Sequence, residues 1–142
     1  MTLLRRHAKV ILGVYSVLLL VALFSPGSGT QAGMVSGLGH VLRALGAPRA
    51  VWEFSHLEVV MNALIIAPVS FLGSFVWRRS TWRDWTAFGF CFSTGVELVQ
   101  GLFLSARVAQ FSDIVANTAG ALLGAAIATW AARRGPRLRR RR

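Results

Sequence analysis

Apolar residues fall in four runs along this chain, separated by charged or Gly/Pro-rich breaks. The first runs from Val10 to Phe24 and ends at Ser25-Pro26-Gly27; if Lys9 snorkels, it reaches span length at about 9–25. The others cover 57–77, 85–104 and 114–132. A helix needs about 20 apolar residues to cross the hydrocarbon of a bilayer, so the pattern predicts four transmembrane helices. The longest connection, 26–56, opens Gly-rich and reads as a loop. Within it Met34 to Leu45 has the spacing of a short amphipathic helix lying on the membrane, weakened by Gly37, Gly39 and Gly46.

Composition gives the same answer. Hydrophobic residues make up 54% and charged residues 15% of the 142, against about 45–50% and about 25% in soluble domains. The expected fold class is all-α, one integral membrane bundle of about four helices spanning 1–142. The first run resembles a secretory leader, with a basic start and a short apolar core. It lacks a small-residue cleavage site before Gln31, and is read as a retained span.

The net charge of +11 is confined to blocks at the ends of the apolar runs. With the N-terminus inside, thirteen basic residues are cytoplasmic: Arg5, Arg6, Lys9, Arg78, Arg79, Arg83 and the seven arginines of the tail 133–142. Only Arg43, Arg49 and Arg107 lie outside. By the positive-inside rule both termini are expected in the cytoplasm, in a multi-pass protein of the inner membrane. Blocks of this kind, without a recognition motif, speak against nucleic acid as partner; the tail is expected to touch anionic lipid headgroups. The lone Cys91 reads as a small buried apolar residue. His7, His40 and His56 are scattered, so no metal site is expected, and no cofactor motif is present.

Polar residues inside a span are costly and mark candidate sites. Glu58 and Asn62 share a face of the second run, Ser93, Glu97 and Gln100 a face of the third, and Asp113, Asn117, Gly120 and Gly124 a face of the fourth. Glu97 lies about 18 Å along its helix from Trp85, past the midplane. Glu58, Asn62, Gln100, Asp113 and Asn117 fall in the same outer half, with Arg107 in the adjoining loop. These seven residues are the candidate ligand-binding pocket, opening to the outer face. Gly120-x-x-x-Gly124 is a close-packing pair, and Pro68 is expected to kink the second helix and free the Leu64 carbonyl.

Glu97-Leu98-Val99-Gln100, Arg107, Asp113 and Asn117-Thr118-Ala119-Gly120-Ala121-Leu122-Leu123-Gly124, together with Glu58-x-x-x-Asn62 and Pro68 six residues on, resemble the VanZ-like family in order and spacing. The match covers about half the chain, Glu58 to Ala128. Two positions depart: Ser70, where the family often has Gly, and Gln110, where it often has an acid. The resemblance implies a multi-pass envelope protein, in a family associated with resistance to the lipid-anchored glycopeptide teicoplanin. The expected partners are membrane lipids and a lipid-linked envelope precursor or an amphiphilic antibiotic; a homo-oligomer is compatible with the sequence. Binding is the leading expectation, with no catalytic residue assigned. The rivals are an enzyme acting on a lipid headgroup, with Glu97 and Asp113 as acid and base, and a structural or assembly subunit.

Overall fold

The computed structural model describes residues 2–24, 29–103 and 110–134. They form six helices: α1 (Thr2–Leu23), α2 (Gly29–Ala44), α3 (Arg49–Trp52), α4 (Phe54–Val76), α5 (Trp82–Phe103) and α6 (Phe111–Arg134). No strand occurs among the described residues. α1, α4 and α6 are long and apolar enough to cross a membrane. α5 has the length, 22 residues or about 33 Å. Its hydropathy is lowered by Ser93, Glu97 and Gln100, and these are buried inside the bundle. Outward faces are apolar: Val10, Val14, Val17, Leu18 and Val21 on α1 and Leu98 and Leu102 on α5 are exposed. Such a surface suits lipid, and the chain is a membrane protein.

α4 and α6 run parallel and make the tightest seam. Gly120 lies on the backbone of Ala63, and Gly124 on that of Ala67 and on the Ser70 hydroxyl. A Cβ at either glycine would collide with main chain, which a side-chain shift cannot relieve. Ala121, Ala125 and Ala128 continue the seam and are almost wholly buried. Small residues let helices approach closely where lipid supplies no hydrophobic drive between them. Ser70 fits because its hydroxyl bonds back to the Ala67 carbonyl at 3.1 Å.

α5 runs antiparallel to both and packs on α6, with Gly89 against Ala121. At its start Thr81 and Asp84 form a reciprocal cap. The Thr81 N–H donates to Asp84 Oδ2 at 2.7 Å and the Asp84 N–H to the Thr81 hydroxyl at 3.4 Å. The Thr81 backbone N–H, then its hydroxyl, hold this exposed carboxyl below the usual range. The indole of Trp85 covers Gly73 of α4, where a side chain would not fit. α1 packs on α4 through Ala8 and Leu12 against Val76 and through Leu19 against Ile66. Two polar ties fix this pair: Arg5 Nη2 donates to the Val76 carbonyl at 2.9 Å, and the Tyr15 hydroxyl to that of Ile65 at 2.7 Å.

Three expectations change. The long connection holds a fuller helix than expected, α2, running through Gly37 and Gly39. Gly39 is useful there because the Trp52 carbonyl lies 3.1 Å from where its Cβ would be. α2 stops at Gly46, whose φ of 77° permits the paired bonds Gly46 N–H to Arg43 and Ala47 N–H to Leu42, each 3.0 Å. Cys91 is exposed on the outward side of α5, off the stripe of Gly89, Ser93 and Glu97. The helices also start earlier than the apolar runs, because Arg5, Arg6 and Lys9 continue the helical pattern beyond the apolar core of α1.

Gly120→Ala is expected to lower the unfolding temperature of the solubilised protein through an overpacking cost of about 1–3 kcal/mol. At Gly95, where an added methyl meets nothing within 4 Å, Ala is expected to raise it, since Gly inside a helix costs roughly 0.5–1 kcal/mol. The opposite order in thermal melts would contradict the seam.

Candidate functional site

The register of α4 on α6 brings Glu58 and Asn62 level with Asp113 and Asn117, and the antiparallel α5 delivers Glu97 and Gln100 to the same end. Four helix ends meet there: the last turn of α1, the first turns of α4, the last turns of α5 and the start of α6. Glu97 is 6% exposed, Gln100 5% and Asn117 9%; Glu58, Asn62 and Asp113 are half-buried. Arg107 lies outside the described residues.

Glu97 and Gln100 each spend their described bond on a helix terminus. Glu97 Oε2 accepts the Gln110 backbone N–H at 2.8 Å, one residue before α6 begins. Amides at a helix start have no partner within the helix, and a carboxylate is the strongest acceptor for one. Gln100 Nε2 donates to the Leu23 carbonyl at 2.7 Å, an orphan acceptor at the end of α1. Ser93 reaches the Ile114 carbonyl in a long contact of 3.4 Å. The stripe on α5 thus ties α1 and α6 together. Asp113 sits in the first turn of α6, where the helix dipole favours an anion, and near enough to Glu58 for the two carboxylates to feel each other's charge.

Glu58 and Asp113 near the starts of two adjacent helices, with Glu97 on a backbone amide, make an end that can attract a cation or present acceptors to hydroxyl or amide donors. Gln110, which stands where an acid was expected, contributes its main chain to Glu97. No sequence signal foretold that bond, because every residue but proline carries the same N–H. Tyr15 and Ser70 were also missed as contacts, although Ser70 stands at i+7 from Ala63 on the seam face of α4. Pro68 is accommodated inside α4; the hydroxyl arriving from α1 goes to Ile65, next to the expected Leu64.

A cleft of about 160 Å³ lies away from this polar end, lower between α1 and α5. Its walls are mainly apolar, with Ser16 and Ser70 among them, and share no residue with the candidate set.

A family model described as VanZ/LLP1 matches residues 11–132, which hold all four long helices in whole or large part. No curated protein and no solved structure matches the chain.

Glu97→Ala strands the Gln110 N–H and is expected to cost about 1–3 kcal/mol. Glu97→Gln keeps an acceptor oxygen and is expected to cost less. Amide exchange at Gln110, measured by NMR in micelles, should speed up in the first variant and stay slow in the second.

Proposed function

We propose that this chain, which belongs to the VanZ/LLP1 family, binds a lipid-linked or amphiphilic molecule at the polar end of its helix bundle. The observation that carries the reading is the burial of three polar side chains, Glu97 and Gln100 on α5 and Asn117 on α6, at this half of the bundle. Burying a charged or polar group inside a membrane helix is expensive, and such groups cluster where a ligand is met. In this reading α5 is a fourth crossing, hidden from a hydropathy count by the polar face it turns inward. The thirteen-to-three split of basic residues supports a topology with both termini in the cytoplasm and the polar end in the outer leaflet of an inner membrane.

The roles follow from chemistry. Glu58, Glu97 and Asp113 set the field of the site, and Asn62, Gln100 and Asn117 offer paired donor and acceptor groups. Arg107, between α5 and α6 in sequence, supplies a planar guanidinium suited to a phosphate. A ligand with a polar or phosphorylated head and a hydrocarbon anchor meets all these groups from within the outer leaflet. Envelope precursors carried on lipids are of this class, as is an antibiotic with a fatty anchor such as teicoplanin. Binding suffices to explain the arrangement, and no turnover is assigned.

Native mass spectrometry of the protein extracted gently from its own membrane tests this directly. The wild type is expected to carry a specific lipid or lipid-linked precursor that the Glu97→Gln, Arg107→Ala double variant loses. The same nonspecific lipid on both proteins would leave the polar stripes as helix glue alone.

A further inference from the structure

We propose a second binding site, at the opposite end of the bundle: the cleft between α1 and α5 holds one acyl chain of an anionic phospholipid, with Lys9 and Arg83 at its phosphate. α1 packs on α4, and α5 on α6, but α1 and α5 share no comparable seam. The gap between them is the cleft of about 160 Å³. Its sides are Ser16, Leu19 and Leu20 of α1 and the aromatic face of α5. An apolar cavity of similar size, about 150 Å³, stays dry and takes a hydrocarbon guest. In a membrane bundle the medium beside such a cleft is acyl chain.

The α5 wall is a ladder of rings, extended beyond the cleft by Trp77 at the end of α4. Trp77 faces Trp85 at 5.9 Å, Trp85 faces Phe88 at 5.8 Å, and Phe88 stacks on Phe92 at 5.8 Å. From Trp82 at the start of α5 to Phe92 is about 15 Å, which equals half of a hydrocarbon core about 30 Å thick. The lining residues Trp85 to Phe92 span about 10 Å of that, so the cleft lies within one leaflet at the basic end and receives the headgroup-proximal part of one acyl chain. Trp85 lines it with an indole N–H that is buried and has no hydrogen-bond partner among the described residues. The ester carbonyl of a lipid would supply that acceptor.

Charge selects which lipid. Lys9, Gly13, Ser16 and Leu20 follow i, i+4, i+7, i+11, so Lys9 stands over the cleft face of α1. An added Cβ at Gly13 meets nothing within 4 Å, which keeps the path from Lys9 to the cleft open. Across from it the Arg83 guanidinium lies over the ring of Trp82 at 5.2 Å, and Trp82 stands one turn before Trp85. Arg6, Arg78 and Arg79 are exposed at the same end. Of the five acidic residues only Asp84 is there, and Thr81 already engages it. The end is strongly cationic and fits a phosphate carrying a net negative charge.

Full-length protein reconstituted in vesicles of equal phosphatidylglycerol and phosphatidylcholine, then released into the gas phase, gives the test. Wild type is expected to retain phosphatidylglycerol over phosphatidylcholine. Ser16→Phe, which fills the cleft, should lose the retained lipid; Leu20→Trp does the same from a half-exposed position if the first variant folds poorly. Lys9→Gln should keep a lipid but lose the preference for phosphatidylglycerol. The Glu97→Gln, Arg107→Ala variant should hold phosphatidylglycerol as wild type does, which separates this site from the one at the polar end. Retention in proportion to vesicle composition overturns the proposal. So does full retention by both cleft-filling variants, or loss only in the Glu97→Gln, Arg107→Ala variant.

Discussion

The contact of backbone on backbone between α4 and α6 decides where everything else goes. Gly120 on Ala63 and Gly124 on Ala67 permit one register and one direction, because any slip brings a side chain into main chain. That register sets Glu58 beside Asp113. It also leaves Ala121 open to receive Gly89, so α5 docks antiparallel with its polar stripe facing inward. α1 is then held on the outside of α4 by Leu12, Leu19, Tyr15 and Arg5.

Lipid as solvent makes polar groups take partners inside the protein. Several of the partners in this bundle are helix termini: Glu97 takes the amide of Gln110, Gln100 the carbonyl of Leu23, and Arg5 the carbonyl of Val76. Side chains with a conspicuous chemistry therefore also serve as caps. Their removal therefore acts on stability as well as on any chemistry at that end, and only conservative replacements separate the two.

The molecule is polar in two senses. Four of its five acidic residues lie on α4, α5 and α6 or beside them at one end, with Glu53, Glu58, Glu97 and Asp113 close to the helix ends that meet there. The other end is rich in arginine and tryptophan, with Arg134 over Trp130 at 4.2 Å and Arg83 over Trp82. Between the ends the α4–α6 seam is built of alanine, glycine and serine, and α1 packs on α4 through larger apolar residues such as Leu12, Leu19 and Ile66. Acidic and amide side chains are thus separated from the arginine–tryptophan pairs along the bundle axis.

The four long helices, their polar stripes and the charge bias along the chain were legible in the sequence, since apolar periodicity and the cost of a polar residue in lipid are local properties. Asn117, Gly120 and Gly124 announced their shared face by spacing alone. The tertiary structure decided what no spacing encodes. Which backbone amide Glu97 holds depends on the level at which α5 stops against α6. That α1 leaves a cleft against α5 depends on α1 having its partner in α4. The helix through Gly37 and Gly39 forms where Gly39 can lie against the Trp52 carbonyl, and Cys91 faces outward because the seam turns Gly89 and Ser93 inward. Each of these depends on contacts between distant segments, and a backbone N–H or C=O looks the same at every position of the sequence until the fold brings a partner to it.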